Sequence, residues 1–188
     1  MSQGKTYVIG DVHGELDALS KLIAHLNPQP DDTIVFLGDM VDKGPKTAQT
    51  VDALIALSKK CNTVFIKGNH EEMMLAALGG KNPRASQIWL KHGGHETLAS
   101  YGCKNLKELR RKLPQQHRDF LKNTLNAYMS GDHIFVHAGW DPSRGADQQN
   151  TSDLRWKFLN AAKFKKGFDK QIICGHSSLI TGKPAMRQ

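Results

Sequence analysis

With 188 residues, the chain is long enough for one sizeable hydrophobic core and short for two, so a single domain spanning 1–188 is expected. Hydrophobic residues at 39% and charged residues at 23%, with glycine and proline scattered throughout, exclude the disordered and fibrous classes. The formal net charge of +8 speeds encounters with anionic partners of any kind, and phosphate-bearing ligands fit it.

The chain opens as strand, loop and helix. An apolar stretch at 6–9 leads through GDVHG into Leu16, Leu19, Leu22, Ile23 and Leu26, which recur at helical spacing. Pro28 and Pro30 close that unit. A second copy has TIVFL at 33–37 as a buried strand, GDMVDKG as a loop, and a helix over 45–60 whose first turn accommodates Pro45. A third begins with NTVFI at 62–66, passes through KGNHE, and enters a helix starting near Glu71 that carries Met73, Met74, Leu75 and Leu78. Three consecutive βα units imply a largely parallel, helix-covered sheet. No strand is expected from 79 to 125, where helices over 86–90, 95–101, 106–113 and 115–125 form a helical insert. Strands at 127–130 and 133–136 make a hairpin about Gly131-Asp132, and a last strand at 171–174 precedes GHSS.

The basic runs at 104–112 and 157–170 carry apolar residues at helical spacing and are read as solvated helix faces, so no stable nucleic-acid binding is expected. Cys61, Cys103 and Cys174 are odd in number and far apart, which argues against a disulfide framework and for a reducing compartment. The first residues hold no signal-peptide stretch and no apolar run has membrane-spanning length, so a cytoplasmic protein without membrane contact is expected.

Five strand ends are followed at once by Gly-flanked clusters of Asp, His or Asn: GDVHG (10–14), GDMVDKG (38–44), GNHE (68–71), HAG (137–139) and GH (175–176). Ligands of open α/β sheets bind outside the carboxyl ends of the strands, so these loops converge on one site. Taken singly, GDVHG, HAG and GH each read more readily as turn residues with a hydrogen-bonded histidine than as a functional site. Five in this order point to a metal site, and they offer Asp11, His13, Asp39, Asp42, Asn69, His70, His137 and His176. Mixed imidazole, carboxylate and amide donors suit manganese, iron or zinc better than calcium. The set exceeds the needs of one open catalytic ion, whereas two ions roughly 3.5 to 4 Å apart, bridged by one carboxylate, would use it all. His25, His92, His95, His117 and His133 are read as surface or structural residues, and Met73, Met74, Trp89 and Trp156 as core.

These motifs resemble those of the phosphoprotein phosphatase branch of the calcineurin-like metallophosphoesterases, and the likeness runs from about 6 to 176. GGHETLASYG at 93–102 looks like the insert of the bacterial and phage-type members. The resemblance implies an α/β fold of four layers, an αββα sandwich, with a helical insert at about 79–125. It also implies shortened C-terminal strands, because related enzymes continue well beyond the GH motif. Two divalent cations are implied, manganese foremost, with iron, zinc or nickel as alternatives. Asp11 and His13 would bind the first, Asp39 would bridge, and Asn69, His137 and His176 would hold the second. Water activated between them would attack phosphorus in line, His70 would protonate the leaving group, and Asp42 would orient His70. Lys43 stands where the family usually has arginine and Lys67 where it often does; a point charge grips phosphate less selectively than a planar fork. Arg155, beside Trp156, is the candidate for a further phosphate-binding arginine.

The implied activity is a serine/threonine protein phosphatase. The alternative in the same fold is a symmetric diadenosine tetraphosphate hydrolase, whose members more often carry GNHD and lack an aspartate at the position of Asp42. GNHE and Asp42 together favour the phosphatase, and the partner is a phosphorylated protein or nucleotide substrate. A basic binding module without turnover is disfavoured by the complete ligand set.

Overall fold

The computed structural model describes residues 4–159, 168–179 and 181. Among these, six strands form two three-stranded sheets. In the first, β1 (Thr6–Ile9), β2 (Thr33–Phe36) and β3 (Asn62–Phe65) are all parallel, with Thr6 opposite Thr33 and Thr33 opposite Asn62. Parallel neighbours need crossover connections, and α1 (Leu16–Leu26) and α2 (Thr47–Leu57) provide them. In the second sheet, β4 (Ala127–Ser130) and β5 (His133–Val136) form an antiparallel hairpin with Gly131 at φ 55°. The last strand, β6 (Gln171–Cys174), lies parallel to β5.

Alternation along β2 shows why the layers stack as they do. Ile34 and Phe36 pack with Leu19, Leu54 and Leu57 of α1 and α2, while Val35 and Leu37 pack with Phe135 of the second sheet. A strand covered on both faces needs apolar residues at every position, and TIVFL supplies them. In the same way β5 turns Phe135 inward and Ile134 and Val136 outward, against Trp140 and Leu154 of α8 (Thr151–Trp156). Helix, sheet, sheet and helix thus follow in order, as the αββα expectation has it.

The third unit's helix, α3 (Asn69–Gly79), leads into the insert, which starts with α4 (Pro83–Trp89), a kink over Leu90–Gly94 where His92 and Gly93 leave helical geometry, and α5 (His95–Ser100). The insert ends with α6 (Leu106–Lys112) and α7 (Gln115–Asn123). These helices share a core of Met73, Met74, Leu78, Trp89, Leu98 and Leu109, which reaches Val41 in the loop after β2. Met73, Met74 and Trp89 are therefore core residues, as read. Asn82 and Asn105 start α4 and α6 by accepting the N–H groups of Arg84 and Glu108. Left-handed Gly80 ends α3, and the Arg110 guanidinium caps its Ala77 and Leu78 carbonyls.

Two expectations change. The helix of the third unit begins at Asn69 rather than near Glu71, so GNHE is its first turn. Trp156 is not core: it is 40% exposed and its indole N–H donates to Glu72. Of the helical run read over 157–170, residues 160–167 lie outside the described residues, and α8 ends just before the run, at Trp156. It stops because the Ala138 and Gly139 N–H groups of the HAG loop take the Leu154 and Asp153 carbonyls. All three cysteines are free, and no helix among the described residues is long and apolar enough to cross a membrane.

Candidate metal centre

The five motif loops leave the carboxyl ends of β1, β2, β3, β5 and β6, and their backbone is unusual. Six described non-glycine residues have positive φ, and five of them are in these loops: His13 (45°), Asp39 (52°), Asp42 (69°), Lys43 (65°) and His176 (62°). Left-handed backbone costs a residue with a Cβ roughly 1–2 kcal/mol, so such clusters persist where surrounding contacts over-determine them.

Glu71 provides much of that constraint. Fully buried in the first turn of α3, its carboxylate accepts the N–H groups of Gly68 (2.8 Å), Asp39 (2.9 Å) and Met40 (2.7 Å). The loop after β2 is thereby tied to the loop after β3. Burial, then the nearby Asp39 charge, pushes the Glu71 carboxyl upward, and the backbone donors oppose that shift.

Asp39 stands between two donor sets. On one side His13 Nε2 lies 3.6 Å and His70 Nε2 4.0 Å from its Oδ2. On the other, His137 Nε2 lies 3.5 Å from its Oδ1, 2.9 Å from Asn69 Oδ1 and 3.2 Å from His176 Nδ1. Asp11 completes the rim, with Oδ1 accepting the His176 N–H (3.0 Å) and Oδ2 3.9 Å from His13 Nε2.

The tautomers show what this arrangement is suited to hold. His13 Nδ1 is 2.9 Å from the Val41 carbonyl and His137 Nδ1 is 2.8 Å from the Leu37 carbonyl. Carbonyls only accept, so both rings carry a proton on Nδ1 and turn an Nε2 lone pair to the centre. Around His137 Nε2 stand an amide oxygen, a carboxylate oxygen and an imidazole nitrogen, with at most one proton, on His176, to share. Converging lone pairs of this kind, on rings fixed by backbone carbonyls, fit a metal ion. Burial lowers the pKa of His13 to about 4 and also lowers those of His137 and His176, which keeps them in the neutral, ligating form. Burial pushes the Asp39 carboxyl up to about 7, and bound cations would reverse that shift. The two groups His13, Asp39, His70 and Asp39, His137, His176, each with ligand atoms within 4.8 Å of one another, share Asp39. The residues fit two divalent cations.

His70 is also held from behind. Its Nδ1 donates to Asp42 Oδ2 (3.0 Å) and its backbone N–H to Asp39 Oδ1 (3.0 Å). Asp42 is itself fully buried and accepts the Trp89 indole N–H (2.9 and 3.0 Å to its two oxygens) and the Thr97 hydroxyl (2.7 Å). Lys43 Nζ lies 2.9 Å from His13 Nε2, beside the donor sets. Lys67 and Arg155 have hydrogen-bond partners outside the donor sets. Lys67 donates to the Lys122 carbonyl, while Arg155 donates to Glu72 (2.7 Å) and Asn126. Burial, and then the Arg155 charge, lowers the Lys67 pKa.

The structure thus gathers Asp11, His13, Asp39, Asp42, Lys43, Asn69, His70, His137 and His176, and gives Lys67 and Arg155 partners of their own. Sequence reasoning missed Glu71, Trp89 and Thr97 as parts of the site. Glu71 was findable, because a glutamate at the third helical position commonly reaches back to the N-cap N–H. Trp89 and Thr97 carried no local signal, being 47 and 55 residues from Asp42.

Comparison with known proteins agrees with this geometry. The calcineurin-like phosphoesterase family matches residues 4–185. The chain is 29% identical over 148 residues to a symmetrical bis(5'-nucleosyl)-tetraphosphatase of Bordetella pertussis, covering 76% of this chain and 47% of that protein. It is 31% identical over 138 residues to the serine/threonine-protein phosphatase PP1-1 of Saccharomyces cerevisiae, covering 72% of this chain and 39% of that one. It therefore spans less than half the length of either relative. A metallophosphoesterase structure from Sphaerobacter thermophilus superposes with a TM-score of 0.54 at 23% identity, covering 91% of this chain and 59% of that one, a likeness of fold. With five strand-end motifs around one shared carboxylate and a family match over nearly its whole length, the chain belongs to the calcineurin-like phosphoesterases.

Proposed function

We propose that the chain acts as a two-metal phosphomonoester hydrolase on phosphoserine and phosphothreonine in proteins. The buried Asp42–His70 pair carries this reading. A serine alkoxide is a poor leaving group and needs a proton, whereas a nucleotide phosphate released from diadenosine tetraphosphate is weakly basic and does not. A positioned imidazole therefore serves the first reaction more than the second.

Asp11, His13 and Asp39 would hold one cation, and Asp39, Asn69, His137 and His176 the other, with manganese the leading candidate and iron, zinc or nickel the alternatives. Divalent cations there would supply Lewis-acid activation of water and neutralise phosphoryl charge. The chain's own residues do the rest. The His70 Nδ1–H donates a hydrogen bond to Asp42, whose carboxylate would support the doubly protonated ring, so Nε2–H faces the centre and would pass its proton to the departing oxygen, leaving a neutral imidazole. Lys43 adds positive charge beside His13, where a phosphoryl group would sit.

A second reading, dinucleoside polyphosphate hydrolysis, is favoured by the name of the Bordetella relative. The two separate in parallel assays of a phosphoserine peptide and diadenosine tetraphosphate, using metal-stripped protein resupplied with manganese. Faster release from the peptide is expected, and cleavage of the dinucleotide alone would overturn the phosphatase reading. His70→Asn is expected to slow peptide turnover about 100-fold or more with metal content unchanged.

A further inference from the structure

We infer that Trp89 and Thr97 of the helical insert are positioning residues for proton delivery by His70, so that the insert sets the geometry of the site. The inference rests on the reading of His70 as the leaving-group acid.

A carboxylate can turn about its terminal bond and offer an imidazole either oxygen at many angles. Asp42 is denied that freedom. The Trp89 indole N–H bridges both its oxygens, and the Thr97 hydroxyl holds Oδ1, so Oδ2 is left to His70 in one orientation. Its backbone is held as well, because the Asp42 N–H donates to Thr47 Oγ1 (3.2 Å), which lies 3.2 Å from Thr97 Oγ1. Among the described residues, the hydrogen bonds of the Asp42 side chain all come from the donors of His70, Trp89 and Thr97, and Asp42 is fully buried.

The approach of the insert to this loop is built into its backbone. At the kink between α4 and α5, Gly93 has φ 104°, its carbonyl accepts the Lys43 N–H (3.2 Å), and a Cβ there would lie 2.6 Å from Lys43 N. A Cβ on Gly94 would lie 2.6 Å from the Trp89 ring. Two adjacent glycines thus let one segment press on the Asp42–Lys43 loop and on Trp89 together.

A role limited to packing predicts that loss of Trp89 or Thr97 slows all substrates alike. Positioning of a proton donor predicts a loss that grows with leaving-group basicity. The test compares wild type, Trp89→Phe, Thr97→Val, Thr97→Ser and His70→Asn, each loaded with manganese to matched metal content, on phenyl phosphate and 2,4-dinitrophenyl phosphate. Dinitrophenolate departs without a proton. Trp89→Phe and Thr97→Val are expected to lose at least ~10-fold more kcat on phenyl phosphate than on the dinitrophenyl ester, with KM little changed, and Thr97→Ser is expected to recover most of the loss. Equal losses on both esters would overturn the inference, as would a further selective loss when Trp89→Phe is added to His70→Asn. Equal losses for His70→Asn itself would instead remove the reading of His70 as the acid, and the inference with it. Should Trp89→Phe not fold, the Thr97 pair carries the test. A readout without turnover is the Trp89 indole proton of metal-free protein. It is expected downfield and shifted upfield by Asp42→Asn, and a resonance insensitive to that change would also overturn the inference.

Discussion

Both donor sets depend on Asp39, which is where their ligand atoms meet. Asp39→Asn keeps the size of the side chain but removes half of its ligating character, and elemental analysis after manganese loading is expected to fall from two ions per chain to one or fewer. The carboxyl also links metal to pH. Burial raises its pKa to about 7 without metal, so below that pH an incoming cation must displace a proton. His13, lowered to about 4, is already neutral in this range and contributes no further proton. Manganese affinity is therefore expected to weaken as pH falls from 7.5 to 6, by up to about tenfold per unit for one displaced proton. Titration calorimetry in buffers of different ionisation heat reads that proton directly, and affinity independent of pH would contradict the assignment. Glu71→Ala leaves the buried N–H groups of Gly68, Asp39, Met40 and Val41 without this acceptor, at about 1–3 kcal/mol each. Denaturant unfolding is expected to show a loss of about 3 kcal/mol or more, and a neutral substitution would mean that the loops are held by other contacts. The ligands themselves were legible, because His, Asp and Asn placed beside glycine at an apolar strand end have few other uses in combination. Glu71 was passed over although a glutamate at the third helical position marks a reach to the N-cap N–H; its reach to the backbone of the loop after β2 had no such signal.

At the scale of elements, the start of α3 and the kink between α4 and α5 decide the site. Beginning the helix at Asn69 places Asn69, His70 and Glu71 on one turn, aimed respectively at the second donor set, at Asp42 and at the loop after β2. Helical periodicity made the insert helices readable, but their docking was not. The Trp89 and Thr97 contacts to Asp42 join segments far apart in sequence, and a buried tryptophan reads as core whether or not its N–H finds a carboxylate. Gly94→Ala tests the docking by placing a methyl against the Trp89 indole. Overpacking of that kind typically costs about 1–3 kcal/mol, so a lower melting temperature and reduced activity on phosphoserine peptide are expected together. A variant with wild-type melting and activity would show that the close approach is dispensable.

For the molecule as a whole, βα repetition made the first sheet and its crossover helices readable, and the Gly131 turn marked the hairpin of the second. The face-to-face packing of the two sheets was implied by family resemblance. Periodicity alone shows only that β2 is buried on both faces, and does not say whether helices or a second sheet cover it. The packing brings His137 and His176 from the second sheet against Asp39 and Asn69 from the first, so the proposed two-cation centre exists only when both sheets are assembled. The most direct measurement is anomalous diffraction from crystals of this chain grown with manganese. Two peaks are expected, one beside His13 and Asp11 and one beside Asn69, His137 and His176, both bonded to Asp39. A single peak, or two peaks that share no contact with Asp39, would contradict the account.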